Sequence, residues 1–267
     1  MGLLVGLRSP YNSMSKLPAE HKFLDLSDYG RSIAIRIATA LKNTEVTPIN
    51  VTWWFIVSGL CAIGCMLYGQ PILAAVFLVL KSILDAADGE LSRLKNTPSY
   101  VGRYFDSIAD IILNLLFVLT IWHLSASAWW TMIVAFIAIQ MQGTLYNYYY
   151  VILRTSVDGD TTSRVFEEQA PTAMPGEDQQ RVNRYFTVFR ALYRVFDQTV
   201  ILLDPKATSS RPLPRWFMTL VSSMGLGFQL LIMGVMLAVG MVDYILPFFI
   251  LYSLVMLLAI VIRRTLL

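Results

Sequence analysis

The sequence predicts an all-α, polytopic membrane protein with six transmembrane helices, preceded by an N-terminal amphipathic interfacial helix. Of its 267 residues, 56% are hydrophobic and only 15% are charged, whereas soluble domains average about 25% charged residues. The mean hydropathy is +0.57. Six apolar runs approach or exceed the roughly 20 residues that a spanning helix needs. They cover about 47–68, 71–91, 103–123, 127–153, 213–240 and 243–262.

The positions of the basic residues predict the orientation of these runs. The chain has 21 lysines and arginines, and none lies in the first, third or fifth linker between the runs. All but Lys81 lie in the N-terminal segment, in the second linker with its flank (92–103), in the fourth linker with its flank (154–215) or in the C-terminal pair Arg263-Arg264. Because basic residues are enriched in cytoplasmic loops, both termini and these two linkers are expected on the cytoplasmic side. The net charge of +3 then describes a cytoplasmic face rather than a nucleic-acid binder.

The same pattern divides the chain into two parts. Residues 1–46 form a cytoplasmic N-terminal segment, and residues 47–267 form a six-helix transmembrane domain with a cytoplasmic insert at about 154–211. Within the first part, arginines alternate with isoleucines over 26–41. This pattern predicts a short amphipathic helix that lies on the cytoplasmic membrane surface.

The second half of the insert also has helical periodicity. Residues 181–203 place apolar side chains at helical spacing, with Arg181, Arg184, Arg190 and Arg194 around them. One interpretation is an interfacial helix that attracts anionic lipid headgroups. The other is that one of these arginines holds a substrate phosphate.

The most informative feature is an acidic run across the second and third apolar segments. Asp85 and Asp88 lie three residues apart and Asp106 and Asp110 four apart, so each pair shares one face of its helix. A carboxylate at the centre of a spanning helix costs roughly 2.5–3.5 kcal/mol on insertion scales, so four of them need compensation. A short turn between the helices would bring all four together. Oxygen ligands in that number suit Mg²⁺ or Mn²⁺, with room for two ions.

The residues around the aspartates fit a phosphate ligand. Gly89 and Gly102 have no side chain, so a bulky ligand can approach the backbone there. Arg93, one turn after Gly89, is placed to meet a phosphate. Lys81 lies one turn before Asp85 and has two interpretations, as a counter-charge for the aspartates or as a direct contact with substrate.

This motif resembles the signature of the CDP-alcohol phosphotransferase family, also called CDP-alcohol phosphatidyltransferases. That signature is D-x2-D-G-x2-A-R-x8-G-x3-D-x3-D, and every spacing is intact here. Ser92 replaces the alanine of the family, a small-for-small change that we expect to alter the nucleotide pocket only slightly. The residues that stand at the other positions are Asp85, Asp88, Gly89, Arg93, Gly102, Asp106 and Asp110.

The resemblance covers about 45–262 and extends to the start of the first span. There, Pro48, Asn50 and Thr52 resemble the entry to the first family helix, which helps to hold the CDP group. The resemblance implies a pocket for CDP and its phosphates that is formed by Asn50, Thr52, Gly89, Ser92, Arg93 and Gly102.

The resemblance also implies a mechanism. Asp85, Asp88, Asp106 and Asp110 would bind two divalent metals that grip the pyrophosphate of a CDP-linked donor. The acceptor hydroxyl would attack the distal phosphorus, and CMP would leave. Asp110 would additionally serve as the general base, which requires that it reach the acceptor hydroxyl.

The resemblance leaves the substrates open. Six spans in a short chain resemble prokaryotic members, so we expect a bacterial or archaeal cytoplasmic membrane and CDP-diacylglycerol as donor, in phospholipid biosynthesis. The alternative is a soluble CDP-alcohol donor with a lipid or alcohol acceptor, because the start Asp88-Gly89-Glu90 is similar to that of archaeal-type enzymes that join inositol phosphates. Family members are commonly homodimers, and we expect the same here.

A different class of function also fits the acidic residues taken alone. Intramembrane aspartates occur in divalent-cation channels and transporters. That interpretation does not account for the paired glycines, the arginine and the fixed spacings. No counterpart of the acidic run occurs in the second half of the chain, as an internal transporter repeat would produce.

Overall fold

The described chain is all-helical, as the sequence predicts. The computed structural model describes residues 17–157, 167–209 and 213–267, and no strand occurs in these ranges. The remainder of the predicted N-terminal segment and of the predicted insert lies outside the described residues. The α helices are α1 (Arg31–Leu41), α2 (Pro48–Leu67), α3 (Pro71–Lys95), α4 (Tyr100–Leu124), α5 (Trp129–Ser156), α6 (Gln179–Leu203), α7 (Arg215–Ser222), α8 (Leu226–Ala238) and α9 (Val242–Leu266).

Helices occupy all six apolar runs, but they differ in polarity. α2, α4 and α9 are long and apolar enough to cross a membrane, and α7 with α8 adds a fourth candidate if the bent pair is one span. α3 carries Lys81 and Asp85, and α5 carries Gln140 and Gln142. These polar side chains separate α3 and α5 from the apolar helices. The described part of the chain therefore has three or four candidate spans, and six spanning helices stay a prediction.

The fifth apolar run is bent, which differs from the continuous span that its composition predicts. α7 and α8 meet at an angle of 46°. The N-terminal segment packs into the break, where Leu26 N donates to Ser222 Oγ (2.9 Å) and Gly227 N donates to Ser27 Oγ (3.1 Å). A Cβ at Gly227 would lie 2.0 Å from the Ser27 carbonyl oxygen, so this approach requires glycine.

The short helix α1 packs on α3. Ala34 and Ala38 are fully buried, whereas Ile33 on the same helix is exposed. Gly30, directly before α1, lies so close to α3 that a Cβ would be 2.6 Å from Ile83 Cγ1. Small residues thus bring the N-terminal segment against the helix that carries Asp85 and its neighbours. The predicted position of α1 on a membrane surface stays a prediction.

Close packing at small residues joins the long helices. A Cβ at Gly59 of α2 would lie 3.0 Å from the Leu113 side chain of α4. A Cβ at Gly234 of α8 would lie 3.3 Å from Ala75 of α3. Lipid tails are as apolar as leucine, so helices in a membrane associate through such packing rather than through hydrophobicity. These contacts fix α3 and α4 within the bundle.

The end of α6 is anchored to the rest of the bundle through a buried acid. Asp204 is fully buried and forms an ion pair with Arg263 of α9. Its carboxylate accepts a hydrogen bond from the Tyr149 hydroxyl (2.8 Å), and its backbone carbonyl accepts one from Tyr148 (2.9 Å). The C-terminal end of the predicted insert is therefore tied to both α5 and α9.

Candidate active site

A tight turn between α3 and α4 brings the acidic residues together. Asn96 ends α3 with a φ of 52°, a left-handed conformation that asparagine adopts more readily than most residues. Ser99 begins α4 as its N-cap, and its hydroxyl accepts a hydrogen bond from Gly102 N at 2.8 Å. Pro98 lies between the two caps, where it cannot continue the first helix. A turn over Asn96 to Ser99 therefore joins the two helices, and both pack on α2.

Three of the four aspartates form one cluster. Asp85, Asp88 and Asp106 each offer a carboxylate oxygen, and these oxygens lie within 4.8 Å of one another. Oδ1 of Asp106 is buried and has no hydrogen-bond partner in the described chain. Thr52 Oγ1 of α2 donates to Asp88 Oδ2 at 2.8 Å, which orients that carboxylate. A hard divalent cation would satisfy the open oxygens, so the residues present fit Mg²⁺ or Mn²⁺.

The fourth aspartate, Asp110, pairs with a lysine. Lys81 forms an ion pair with Asp110 and a second one with Asp85, whose Oδ2 lies 2.8 Å from the lysine Nζ. The lysine side chain is only 1% exposed, and its Nζ lies 4.5 Å from the centre of the Phe55 ring. Lys81 thus acts as a counter-charge for the aspartates, which is one of its two sequence interpretations. Asp85 therefore shares Lys81 with Asp110, whereas only Asp85 of these two belongs to the cluster of three aspartates.

A cavity of about 1280 Å³ opens over the four aspartates. It is lined by residues from the N-terminal segment, from α2 to α6 and from α8. Five of the six residues that the resemblance assigns to the CDP pocket line it, namely Thr52, Gly89, Ser92, Arg93 and Gly102. The structure therefore brings most of the predicted pocket together on the side where the aspartates lie.

The glycine at position 89 is not required by the protein's own packing. A Cβ there would meet only the Arg93 guanidinium, at 3.6 and 3.7 Å, which is ordinary contact. At Gly102, a Cβ would lie 3.2 Å from Ser99 Oγ, the hydroxyl that caps α4. The open space above Gly89 belongs to the cavity, where a ligand can approach the backbone.

The sixth predicted pocket residue, Asn50, has a different role. It forms a capping box with Thr47 at the start of α2, where Thr47 N donates to Asn50 Oδ1 at 2.8 Å. Asn50 is exposed and is not among the residues that line the cavity. The motif predicted this residue from its position beside Thr52, whereas the structure assigns its side chain to capping the helix.

The insert is bound to the start of α4 through Glu177, which sequence reasoning missed. Its carboxylate accepts hydrogen bonds from Ser99 Oγ (2.6 Å), Val101 N (2.9 Å) and Tyr100 N (3.2 Å) at the start of α4. It also accepts one from Met174 N at 3.2 Å. Partial burial alone would raise the pKa of Glu177, but these donors outweigh it, and the pKa is lowered. The negative charge also suits the helix N-terminus.

Helix α6 covers the α4 side of the cavity. Tyr193 OH donates to the Ser107 carbonyl at 2.8 Å, and Arg190 Nη1 donates to the Glu168 carbonyl at the same distance. Arg190 and Arg194 line the cavity, whereas Arg181 is exposed and does not. Both sequence interpretations of the α6 arginines therefore stay open. Arg190 and Arg194 are placed to meet a substrate phosphate, and Arg181 is placed to meet lipid headgroups.

Buried amides also line the cavity, and the sequence analysis did not single them out. Asn114 lies one turn after Asp110 on α4, and Gln140 of α5 is 5% exposed. Gln229 of α8 is buried as well and donates to the Ile139 carbonyl at 3.1 Å. All three amides line the cavity, and Nε2 of Gln140 has no hydrogen-bond partner in the described residues. The one-turn spacing from Asp110 to Asn114 was a signal that could have identified this group.

The fold and the site together define an integral membrane protein with a carboxylate-rich cavity between its helices, where three aspartates could hold a metal ion. Residues 45–167 match the sequence profile of the CDP-alcohol phosphatidyltransferase family. This segment therefore matches a CDP-alcohol phosphatidyltransferase domain, the family that the motif predicts. The matched segment contains α2, α3, α4 and α5. Of these helices, α3 and α4 hold the four aspartates.

Curated relatives are similar to part of the chain. Over 70 residues, it is 34% identical to CDP-diacylglycerol–serine O-phosphatidyltransferases of Mycobacterium bovis and Mycobacterium tuberculosis. It is 33% identical to the enzyme of the same description from Mycobacterium leprae. These alignments cover 26% of this chain and 23 to 24% of the relatives, so the chain spans about a quarter of the length of the curated relatives that it matches.

Proposed function

We propose that this protein transfers a substituted phosphate group from a CDP-linked donor to an alcohol hydroxyl, with release of CMP. The observation that carries the proposal is the cluster of Asp85, Asp88 and Asp106 beside a large cavity. The family match and the serine phosphatidyltransferase relatives support transfer of a phospholipid head group. The finer assignments of metal, donor and acceptor belong to the proposal.

The metal-binding residues would be the four aspartates of the predicted site. Asp85, Asp88 and Asp106 would hold a first Mg²⁺ or Mn²⁺, and Asp110 would contribute to a second. Phosphoryl transfer depends mainly on alignment and charge neutralisation, which is the chemistry that a divalent cation supplies when bound. Thr52 supports this site by orienting Asp88 through its hydrogen bond.

Asp110 would serve as the general base. Its ion pair with Lys81 compensates the negative charge, so a carboxylate can persist at this depth. In the reaction, the acceptor hydroxyl oxygen forms a bond to the distal phosphorus of the donor while the bond to the CMP oxygen breaks. The hydroxyl proton passes to Asp110, and the electron pair of the broken bond leaves with CMP.

The chain's own residues would bind the donor beside the aspartates, where two glycines and an arginine line the cavity. Gly89 and Gly102 leave the backbone open to the donor, and Arg93 lies over Gly89, where its guanidinium can meet a phosphate. The buried amides of Asn114 and Gln140, which also line the cavity, can hydrogen-bond the alcohol substrate. The donor would thus lie between Arg93 and the aspartates, and the alcohol acceptor would lie beside the amides.

The proposed donor is CDP-diacylglycerol. The mycobacterial relatives are named for this donor, and several helices here are apolar enough to lie in a membrane. A soluble CDP-alcohol is the alternative donor, with a lipid or second alcohol as acceptor. The rival from another class, a divalent-cation channel or transporter, would use the same aspartates but would consume no nucleotide.

The proposed arrangement has six spanning helices, a surface-lying α1 and both termini on the cytoplasmic side. It follows from the six apolar runs and from the distribution of lysine and arginine. We carry over from the family a homodimer in a bacterial or archaeal cytoplasmic membrane. Cysteine labelling of the loops from either side of the membrane tests the sidedness.

The test of the reaction is CMP release by purified protein with Mg²⁺. CDP-diacylglycerol and CDP-linked polar alcohols are offered separately, each with a panel of alcohol acceptors that includes serine. Release from CDP-diacylglycerol supports the proposed donor, and release only from a soluble CDP-alcohol reverses the roles. Cation flux without CMP release would contradict the transferase proposal.

A further inference from the structure

An acid at the end of α3 is shared by two arginines from different parts of the chain. Oε1 of Glu90 pairs with Nη1 of Arg31 and with Nη2 of Arg93, the latter at 2.8 Å. Glu90 is only 3% exposed, so its charge depends on these partners. Arg31 begins α1 and also pairs with Asp28, which lines the cavity. The N-terminal segment is thereby linked to the cavity through charged groups.

Arg93 is the member of this group that faces the cavity. Its guanidinium lies over Gly89, and its Nε is buried with no hydrogen-bond partner in the described chain. Glu90 neutralises part of the positive charge of Arg93 through their ion pair. Only the rest of that charge is available to a ligand. Since Arg31 shares the same carboxylate oxygen, Arg31 supplies part of the positive charge that Glu90 needs.

We propose that Arg31 is a positioning residue for the donor site, which acts through Glu90 on Arg93. This inference rests on the proposed function. Arg31 lies before residue 45, where the family match begins, so this contribution comes from outside the matched domain. Without Arg31, Glu90 would draw on Arg93 alone, and Arg93 would neutralise Glu90 instead of a donor phosphate. α1 would thus complete the donor site without touching the donor.

The neighbouring arginine on α1 provides a matched control. Arg36 lies on the same helix but is exposed, and no ion pair is found for it among the described residues. We compare Arg31→Gln, Arg36→Gln and Arg31→Lys for CMP release and for binding of CDP in the presence of Mg²⁺, measured by calorimetry. Melting temperature in detergent shows whether each variant is folded.

Arg31→Gln is expected to raise the KM for the donor and the Kd for CDP about tenfold, the size of effect that loss of one charge-assisted contact brings. The kcat should change little, because the lost interaction serves binding rather than the chemical step. Arg31→Lys keeps the charge and should restore part of the affinity, whereas Arg36→Gln should match the wild type.

A double variant tests whether Arg31 acts through Glu90. Once Glu90→Gln removes the competing charge, Arg31 has nothing to compensate, so Arg31→Gln/Glu90→Gln should bind CDP as Glu90→Gln does. The proposal is overturned if Arg31→Gln binds CDP as Arg36→Gln does. It is also overturned if the double variant binds CDP about tenfold more weakly than Glu90→Gln alone. If the wild-type protein binds CDP but releases no CMP, the proposed reaction is contradicted. The Arg31 variants can then still be compared by their Kd for CDP. Wild-type protein that does neither would overturn both.

Discussion

Thr52 of α2 donates a hydrogen bond of 2.8 Å to the buried carboxylate of Asp88 on α3. This contact connects two residues that the sequence motif places in different parts of the site. Asp88 also offers a carboxylate oxygen to the cluster with Asp85 and Asp106. An outer partner of this kind fixes the orientation of a metal ligand.

Thr52→Val should therefore weaken metal binding without emptying the core. The change removes the hydroxyl but keeps the side-chain shape, and we expect the half-saturating Mg²⁺ concentration for CMP release to rise about tenfold. Thr52→Ser keeps the hydroxyl and serves as the control. An unchanged Mg²⁺ dependence in Thr52→Val would show that this bond does not support a metal site.

Lys81→Met should destabilise the protein. Lys81 compensates both Asp85 and Asp110, and removing one partner of a buried ion pair costs about 3 kcal/mol or more. Thermal unfolding in detergent measures this loss, with Lys42→Met on the exposed end of α1 as control. Because a bound dication can replace the lost positive charge, added Mg²⁺ should stabilise Lys81→Met more than the wild type. Equal stabilisation of both would contradict a shared charge balance between lysine and metal.

Glu177→Gln should loosen the insert from the start of α4 in a pH-dependent way. Burial opposes ionisation of Glu177, but hydrogen bonds from Ser99 and three backbone amides outweigh it and lower its pKa below the ordinary value of 4.5. The stability that this carboxylate contributes is therefore fully present above pH 4.5 and is lost as the pH falls through the lowered pKa.

The size of the Glu177 effect follows from the loss of a helix cap. Near pH 7, we expect Glu177→Gln to lower the free energy of unfolding by about 1 kcal/mol. The difference from the wild type should shrink in acid, where the native carboxyl is protonated as well. Glu168→Gln is the matched control, because Glu168 is exposed and only its backbone carbonyl makes a described contact. A difference that stays constant with pH would contradict the charged cap.

Gln140→Leu should impair the acceptor more than the donor. The leucine fills a similar volume but can neither donate nor accept a hydrogen bond in the cavity. We expect the KM for the alcohol acceptor to rise about tenfold, as expected for loss of one hydrogen bond in a buried site, while the KM for the CDP-linked donor stays near the wild-type value. Steady-state kinetics with each substrate varied in turn measures both values. An equal rise in both would indicate a general packing defect instead.

Local patterns predicted the parts of this protein that depend on neighbours in sequence. Asp85 and Asp88 share a helical face because they are one turn apart, and the same holds for Asp106 and Asp110. The turn residues between the helices then determine that the two faces meet. For these reasons, the turn between α3 and α4 and the approach of Asp85, Asp88 and Asp106 could be predicted from the amino-acid sequence, whereas the prediction also placed Asp110 in that cluster.

Contacts between distant segments produced the differences. The break between α7 and α8 coincides with Ser27, 200 positions away from Gly227. Arg31 and Glu90 are 59 positions apart, and Glu177 caps a helix that begins 77 positions before it. No periodicity or motif within one segment records such pairings. Asn50 shows the converse, since the motif assigns it to the CDP pocket, whereas its side chain caps α2 together with Thr47.

The most direct test of the central claim is a Mg²⁺ titration of CMP release from CDP-diacylglycerol by the wild type and by Asp106→Asn. The asparagine keeps the size of the side chain but removes the charge of the carboxylate whose Oδ1 lacks a partner in the described chain. We expect Mg²⁺-dependent release by the wild type and a loss of at least about 100-fold in Asp106→Asn, as for removal of a metal ligand, with unchanged melting temperature without metal. Full activity of Asp106→Asn, or release that is independent of any divalent cation, would contradict the account.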